Sequence, residues 1–502
     1  MSNELVAVGL IGLYALFCAI IYVRHKRSQS ISDTSINDTY IAYGSQSGRA
    51  EALAMELSER IQGADKIIPI TLNQLAQLPL ANIRRLIVIT STYGDGEAPD
   101  NASRILSVLQ RYKRDSLPDL EVVVLGLGDK NYTRYCGFAQ NLQQAFKQVR
   151  ARLPLALTTM EQVDEPLWQT WQNQVADTFS LSLGDVVRTN IFSGWQLHKR
   201  ERINEGSQGG PVFHLQLITV GLIKNDTWQA GDIAEVQTGN AQELIEAALG
   251  NRQHDRQLIA YALTHCNLRK LDANTEAALK SNEPLTSEWL EQLPKLPTRY
   301  YSIASVPREQ SLQLLVRQKR SETGELGLGS GWLTEHASLH TDVAIHIRKN
   351  SNFHSAPAPA PIILIGNGTG IAGLRAHLAQ RAMEALLTTK TPTGTAWLLF
   401  GERTRSKDRH FSQDLEKWQS RGIISKISMA FSRDIEIHRY VQDLIAPNAS
   451  ELREWVSRGA YIFVCGSLQG MAQGVDRELE RALGANVLKR LRDENRYRRD
   501  VY

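Results

Sequence analysis

An arginine, two tyrosines and a serine stand together in the segment RYYSIASVP, Arg299 to Pro307. The rest of the segment has the apolar pattern of a buried strand, where a permanent cation, two rings and a hydroxyl are unexpected. The guanidinium of Arg299 matches the spacing of phosphate oxygens. Tyr300 and Tyr301 can stack on a ring, and Ser302 can meet a polar edge. The segment therefore predicts a site for a flat, anionic ligand with a reactive polar edge.

Three further loops, each following an apolar run, combine glycine with hydroxyl or aromatic residues. They are GSQSGRAE (Gly44–Glu51), STYGDGEAPDNA (Ser91–Ala102) and GLGDKNYTRYCGFA (Gly126–Ala139). Hydroxyls and amides of the first can wrap a phosphate at a helix N-terminus. The other two carry Tyr93 and Tyr132. A tight turn explains any one of these loops, but three at consecutive strand ends predict a site for a planar ring with a phosphate tail.

The C-terminal part has a third set of candidates. The segment IGNGTGIAGLRAHLAQR, Ile365–Arg381, follows an apolar run and opens a helical pattern, which alone is a weak nucleotide-binding signal. Cys465 lies at the end of another apolar run, in VCGS. The chain ends in RYRRDVY, a charged tail that composition alone would predict to be disordered.

The elements that position these residues fall into three parts. Over residues 39–182, short β-branched runs alternate with amphipathic helices, which predicts an α/β, doubly wound parallel sheet. Over residues 190–355, strands follow one another without helices, which predicts an antiparallel barrel or sandwich, interrupted by a helical insertion at about 241–293. After the proline-rich SAPAPAPI, residues 356–502 alternate strands and helices again and predict a second doubly wound sheet.

The composition excludes some classes of protein. With 502 residues, 42% hydrophobic and 22% charged, the chain is an ordinary globular protein of several domains. A net charge of +4 gives no support for nucleic acid binding. No CxxC pair occurs, so we predict no metal site, and dispersed cysteines fit a reducing compartment. The four cysteines are Cys18, Cys136, Cys266 and Cys465.

The N-terminus has the pattern of a membrane anchor. Leu5–Val23 carries no charge and would reach about 28 Å as a helix, close to a bilayer core. Arg24–Arg27, RHKR, follows at once, and positive charge stays on the cytoplasmic side. We therefore predict a single-pass anchor over residues 1–27, a tether over 28–38 and cytoplasmic catalytic domains. A cleaved signal peptide fits less well, because a basic leading region and a small-residue cleavage site are lacking.

The first α/β part resembles the flavodoxin-like FMN domain of the diflavin reductases, a family that includes the sulfite reductase flavoprotein and cytochrome P-450 reductase. The resemblance implies that residues 45–50 hold the FMN phosphate and that Tyr93 and Tyr132 sandwich the ring. Arg49 stands where a small hydroxyl residue or asparagine is usual. The implied FMN-binding residues are Ser45, Gln46, Ser47, Gly48, Arg49, Ala50, Ser91, Thr92, Tyr93, Gly94, Gly128, Asp129 and Tyr132.

RYYSIAS is similar to the FAD signature of that family, and GLGSGWL, Gly327–Leu333, resembles its second FAD loop. This implies an antiparallel β-barrel FAD domain in which Arg299 meets the pyrophosphate and Tyr301 stacks on the flavin. The helical insertion resembles the family's connecting domain but is shorter. The implied FAD-binding residues are Arg299, Tyr300, Tyr301, Ser302, Gly327, Gly329, Ser330 and, covering the ring, Tyr502.

The last part resembles the family's ferredoxin-reductase-type NADP-binding domain. Asn367 and Gly373 stand where proline is typical, which predicts a more flexible loop. FSRDIEIHRYVQ, Phe431–Gln442, is similar to the 2′-phosphate segment, with His438 at the usual lysine position. A neutral histidine would weaken phosphate binding above roughly pH 6.5. The implied NADPH-binding residues are Gly366, Gly368, Thr369, Gly370, Ser432, Arg433, His438, Arg439 and Tyr440.

By the same resemblance, Ser302, Cys465 and Asp500 are the catalytic residues that orient nicotinamide against the flavin. The implied enzyme passes electrons from NADPH to FAD, then to FMN, then to a membrane-associated one-electron acceptor, a haem or iron protein. One alternative is a membrane system that reduces ferric iron or siderophores. Another is a non-enzymatic flavin redox sensor, against which the intact hydride-path residues argue.

Overall fold

The computed structural model describes residues 39–46, 48–62, 67–93, 96–128, 130, 134–161, 165–185, 192–219, 227–387, 393–434 and 440–502. Packing divides these residues into two compact units. The first holds residues 39–43, Leu53–Thr90 and Arg104–Asp185. The second holds Gly44–Ala52, Ser91–Ser103 and residues 192–502. The loops Gly44–Ala52 and Ser91–Ser103, which carry candidate site residues, therefore belong to the second unit.

The first part of the chain folds into a doubly wound α/β sheet, as predicted. Its strands are β1 (Thr39–Gly44), β2 (Ile61–Gln62), β3 (Ile70–Thr71), β4 (Arg85–Ser91), β5 (Glu121–Leu127), β6 (Thr158–Met160) and β7 (Ser182–Leu183). Its helices are α1 (Arg49–Arg60), α2 (Leu72–Leu75), α3 (Ile105–Leu109), α4 (Gly137–Gln148) and α5 (Glu165–Phe179). The sheet order β3-β1-β4-β5-β6 is that of flavodoxin-like folds. β4 and β5 are buried along most of their lengths, because helices cover both faces of such a sheet.

The middle part forms a six-stranded antiparallel sheet. Its strands are β8 (Ser193–Arg202), β9 (Val212–Thr219), β10 (Ile233–Val236), β11 (Arg299–Ser302), β12 (Leu312–Arg317) and β13 (Asp342–Arg348), in the order β11-β10-β13-β8-β9-β12. The backbone N–H of Ala304 donates to the carbonyl of Gln313 at 2.8 Å, so the two edge strands come together. Trp195, Leu215 and Ile345 belong to the apolar core of this sheet.

The helical insertion follows β10 and precedes β11. Its helices are α6 (Gln242–Leu249), α7 (Arg256–Thr264), α8 (Ala273–Lys280) and α9 (Ser287–Glu291). They bury an apolar cluster of their own, which includes Ile245, Leu263 and Leu279. The short helix α10 (Leu328–Gly331) lies later, between β12 and β13.

The last part is a second doubly wound sheet. Its strands are β14 (Ile362–Asn367), β15 (Ala396–Glu402), β16 (Ile424–Phe431), β17 (Tyr461–Gly466) and β18 (Tyr497–Val501), all parallel, in the order β16-β15-β14-β17-β18. Its helices are α11 (Ile371–Leu387), α12 (Ser412–Ser420), α13 (Ala449–Ser457), α14 (Gln473–Leu483) and α15 (Ala485–Asp493). Successive residues of these strands pack into two separate apolar cores, one on each face of the sheet. Leu364 packs in the core with α11, and Ile363 packs in the core with α13 and α14.

The predicted membrane localisation requires a correction. No helix within the described residues is long and apolar enough to cross a membrane. The longest of them, α11, has 17 residues and carries charges such as Arg375 and Arg381 along its length. The predicted anchor and tether, residues 1–38, lie outside the described residues.

Candidate functional site

The loops that follow β1 and β4 are tied to each other by their side chains. The backbone N–H of Ser45 donates to Oδ1 of Asn101 at 2.8 Å. The side-chain amide of Gln46 donates from Nε2 to Oδ2 of Asp100 at 2.8 Å. In return, the backbone N–H of Asp100 donates to the side-chain oxygen Oε1 of Gln46 at 3.0 Å. Ser91 Oγ accepts from Gln46 N–H at 3.3 Å. The first two predicted FMN loops therefore form one structure.

This double loop leaves polar atoms suited to an anion. Gly48 has φ +80°, and α1 begins at the next residue, so the amides at the helix N-terminus are turned towards the loop. Ser45 is fully buried, and its Oγ has no hydrogen-bond partner among the described residues. A buried hydroxyl without a partner is costly, and a phosphate oxygen would satisfy it. These residues fit the phosphate of a flavin mononucleotide.

Tyr93 is buried near the start of the second loop, just after β4. The guanidinium carbon of Arg499 lies 4.2 Å from the centre of its ring, and burial raises the pKa of its hydroxyl. Gly128 lies beside Cys136, where a Cβ would come within 2.7 Å of the sulfur. Other predicted FMN residues lie outside the described residues: Ser47, Gly94, Asp129 and Tyr132.

The predicted FAD segment and its second loop pack directly against each other. A Cβ on Gly329 would lie 2.6 Å from the Arg299 side chain and 2.7 Å from the Tyr301 hydroxyl, so the backbone there must pass close to both. Ser330 Oγ accepts from the N–H of Lys319 at 3.0 Å and holds the loop in place. A cavity of about 300 Å³ opens between β11 and this loop, and Ser302 and Tyr502 also line it.

Tyr300 also lines that cavity, and its ring contacts two arginine side chains. The guanidinium carbon of Arg348 is 4.2 Å from its ring centre, and that of Arg49 is 5.6 Å away. Its hydroxyl donates to Glu235 at 3.4 Å. Tyr300 is therefore part of a cation cluster that the sequence analysis did not anticipate.

The three predicted catalytic residues lie together in a buried network. Ser302 Oγ donates to Oδ2 of Asp500 at 2.6 Å, and the Cys465 sulfur lies 3.8 Å from the same oxygen. Burial raises the pKa of Asp500 above its ordinary range, although the hydrogen bond from Ser302 acts in the opposite direction. Burial, with Asp500 beside it, also raises the pKa of Cys465, which stays a thiol. The network can orient a polar edge and hold a proton at the carboxyl group.

The chain terminus forms this network because it is the fifth strand of the last sheet. Cys465 and Asp500 are partners in the parallel register of β17 and β18. Tyr502 follows, with its hydroxyl 3.4 Å from Oγ1 of Thr369. A Cβ on Gly373 would lie 3.2 Å from the Cys465 sulfur, so the glycine that replaces proline leaves room for the network.

The glycine loop between β14 and α11 packs directly on the Cys465 backbone. A Cβ on Gly366 or Gly370 would come within 2.5 or 2.2 Å of the Cys465 carbonyl oxygen, and Gly368 has φ +56°. Asn367, the second replacement of proline, accepts from the N–H of Ser467 at 3.0 Å through its side chain. That bond ties the loop to the end of β17, so the predicted flexibility at this position is offset.

A second cavity, of about 710 Å³, lies over the glycine loop. Ser432 and Tyr440, two of the residues predicted to bind NADPH, line it. Arg433 lies in the turn beside them and donates its N–H to the carbonyl of Arg403 at 2.8 Å. His438 and Arg439 lie outside the described residues.

Sequence analysis missed three cations in this cavity: Arg317, Lys319 and Arg403. Arg403 comes directly after β15, and the rule that ligands bind at the carboxyl ends of parallel strands was the signal that could have found it. Arg317 and Lys319 come from the end of an antiparallel strand, for which no such rule exists. The two cavities share a wall, because four residues line both of them: Arg317, Lys319, Thr369 and Tyr502.

Comparison with known proteins decides the family. Residues 41–169 match the flavodoxin family model, and residues 364–477 match the oxidoreductase NAD-binding domain model. The chain is 27% identical to the sulfite reductase [NADPH] flavoprotein alpha-component of Photobacterium profundum, over 92% of this chain and 88% of that one. The protein of the same name from Bacillus subtilis is 25% identical, over 92% and 89%. Together, the two matched models and the similarity along nine-tenths of the chain support the diflavin reductase family.

The chain is therefore an NADPH-dependent flavoprotein reductase, and its cofactors are FMN, FAD and NADPH. The same comparisons give no support to the alternative of a non-enzymatic redox sensor. The similarity extends over nine-tenths of the chain, so it also includes the antiparallel sheet between the two matched domains.

Proposed function

We propose that this reductase delivers electrons from NADPH, through FAD and then FMN, to a haemoprotein that accepts one electron at a time. Bound FAD and FMN would supply the change from two-electron to one-electron chemistry. Similarity to sulfite reductase flavoprotein components supports a haemoprotein as the acceptor. In this proposal, residues 39–182 bind FMN, residues 190–355 bind FAD and residues 356–502 bind NADPH.

One observation carries the proposal: the cavity at β11 and the cavity over the glycine loop share a wall, and the Ser302–Asp500–Cys465 network reaches the first of them through Ser302. Ser302 lines the first cavity, and Tyr502 lines both. A flavin in the first cavity and a nicotinamide dinucleotide in the second would come together there. Tyr502 has 57% of its surface exposed, so its ring is accessible to a flavin in the first cavity.

Within the network we assign separate roles. Ser302 holds the Asp500 carboxyl group in one orientation through a 2.6 Å hydrogen bond. Cys465, a thiol with a raised pKa, is a neutral contact and not a nucleophile. Asp500 has a raised pKa and can keep a proton next to the reacting edge. Together they orient the nicotinamide and exclude water.

The preference for NADPH is assigned to the wall of the larger cavity. Ser432 and Tyr440 line it together with the cations Arg403, Arg317 and Lys319. A 2′-phosphate carries two negative charges that NADH lacks, so these cations favour NADPH. No observation on the described residues favours the alternative of a ferric- or siderophore-reducing system.

The test uses the purified full chain. Denaturation should release FMN and FAD in equal amounts, and NADPH should drive steady reduction of ferricyanide. Ser302→Ala should keep both flavins and their reduction by dithionite but lose most of the NADPH-driven rate. The acceptor is identified by co-purifying the reductase from its own cells and recording the absorption spectrum of its partner. A partner without haem, or a chain that takes up only one flavin after reconstitution, would overturn the proposal.

A further inference from the structure

Arg348, the last residue of β13, is a buried cation with an unused donor. It has 7% of its surface exposed, and its Nε has no hydrogen-bond partner among the described residues. A buried guanidinium N–H without an acceptor is costly, because the charged group has lost its water. An acceptor placed at this point would satisfy the buried N–H group.

The surroundings of Arg348 bring a second cation to the same place. The Arg348 and Arg49 guanidinium carbons lie 4.2 and 5.6 Å from the ring centre of Tyr300. Burial, and to a lesser extent the charge of Arg49, lower the pKa of Arg348, while Tyr300 and Glu235 act in the opposite direction. Two guanidinium groups at one ring repel each other, and an anion placed with them would remove that repulsion.

The unused donor lies next to the loop proposed to hold phosphate. A Cβ on Gly48 would be 3.7 Å from Arg348 Nε and 2.8 Å from the carbonyl oxygen of Lys349, so the loop backbone rests on the end of β13. The side-chain amide of Asn352 donates to the Ser45 carbonyl at 2.7 Å and holds the loop there. Arg348 therefore lies close to the loop that precedes α1. The same loop contains Ser45, whose buried hydroxyl also has no hydrogen-bond partner among the described residues.

We propose that Arg348, assisted by Arg49, binds the phosphate group of the flavin held by residues 45–50 and thereby selects FMN over unphosphorylated flavin. The inference rests on the proposed placement of FMN at this loop. Arg348 belongs to the antiparallel sheet. The proposed phosphate site is therefore formed by a residue of this sheet together with the loop between β1 and α1. A pyrophosphate of FAD offers the same chemistry, but the contact with Gly48 favours the mononucleotide.

The test compares FMN with riboflavin, which differ only in the phosphate. Flavin-depleted full chain, reloaded with FAD, is titrated with each ligand, and binding is followed by quenching of flavin fluorescence. Arg348→Gln should weaken FMN binding about ten- to a hundredfold, the loss of one charge-assisted contact, and leave riboflavin binding and FAD content unchanged. Arg348→Lys should weaken FMN binding less than Arg348→Gln does. Lysine keeps the positive charge but lacks the planar guanidinium that can donate two hydrogen bonds to a phosphate.

A matched control is Arg202→Gln, an exposed arginine of the same sheet, which should alter neither titration. Unchanged FMN binding in Arg348→Gln would overturn the inference, and so would an equal loss for FMN and riboflavin, which would indicate a structural role. Loss of FAD with intact FMN binding would assign the cation to the pyrophosphate and also overturn it. Failure of the unaltered chain to bind FMN would instead count against the proposed FMN site.

Discussion

Arg499 and Asp500 are consecutive residues of β18, and their side chains interact with different groups on opposite faces of the sheet. Arg499 forms ion pairs with Asp100 and with Asp476, the latter at 2.8 Å, whereas Asp500 accepts from Ser302. Successive side chains of a strand point to opposite faces of the sheet. One short strand therefore contributes to two buried clusters, the ion pairs of Arg499 and the network of Asp500 with Ser302. The carbonyl of Arg499 also accepts from the Gln46 amide at 3.1 Å. The C-terminal strand thus supports the Ser302–Asp500–Cys465 network and also the loops that follow β1 and β4.

The Arg499 ion pairs give a prediction about stability. Its side chain is 4% exposed and that of Asp100 is 8% exposed, so Arg499→Ala leaves carboxylates buried without their partner. We expect the free energy of unfolding to fall by about 3–5 kcal/mol, measured by urea denaturation. Arg481→Ala removes an ion pair on the surface, where Arg481 is 73% exposed, and should change stability by less than about 1 kcal/mol. Equal effects of the two substitutions would contradict the burial argument.

Asp500 gives a prediction about pH. Its pKa in the folded state is raised, so the stability it contributes is fully present below about pH 4, the unfolded value, and is lost as pH rises through the folded value. Asp500→Asn should therefore be more stable than the unaltered chain at pH 7, with the difference closing towards pH 4. Denaturation midpoints across this range provide the measurement.

Ser302→Ala provides the complement to that experiment. The hydrogen bond from Ser302 lowers the pKa of Asp500, so its removal should raise that pKa further. The loss of stability with rising pH should then extend to higher pH than in the unaltered chain. A pH profile that does not respond to either substitution would show that Asp500 is not the titrating group.

Gly329 gives a prediction about FAD. A Cβ there would lie 2.6 Å from the Arg299 side chain and 2.7 Å from the Tyr301 hydroxyl, so Gly329→Ala must displace one of them. We expect FAD content after purification to fall at least severalfold while FMN content is retained. Gly194→Ala, in β8 of the same sheet, adds a Cβ whose contacts begin at 3.8 Å and should retain both flavins. Full FAD occupancy in Gly329→Ala would argue against a pyrophosphate site at this loop.

Arg403 gives a prediction about nucleotide choice. It lines the larger cavity beside Ser432, so Arg403→Ala should weaken binding of 2′,5′-ADP about ten- to a hundredfold. Calorimetry on the flavin-loaded enzyme measures this directly. The rate with saturating NADPH should change much less than the KM, because the contact is distant from the reacting edge. Binding of 5′-AMP, which lacks the 2′-phosphate, is the control and should be unaffected.

The sequence by itself determined the three sheets and most of the loops that line the candidate site. β-branched runs such as LIVITST and EVVVLGLG are too apolar for any position but a covered sheet, and they predicted β4 and β5. Loops at the ends of such strands must lie on one edge of the sheet, so Ser45, Tyr93 and Gly368 could be singled out without coordinates. The order of motifs along the chain then indicated the family.

Local sequence patterns could not decide which distant residues meet: the grouping of Ser302, Cys465 and Asp500 was expected only from the family resemblance, and the other long-range contacts came from the tertiary structure. Asp500 reaches Ser302 across 198 residues because the charged terminal segment completes a parallel sheet, a pairing that has no local signal. The positions of Arg348 against Gly48 and of Arg317 in both cavities follow from strand register and side-chain packing. Local patterns report what each segment prefers, whereas register and packing depend on every other segment at once.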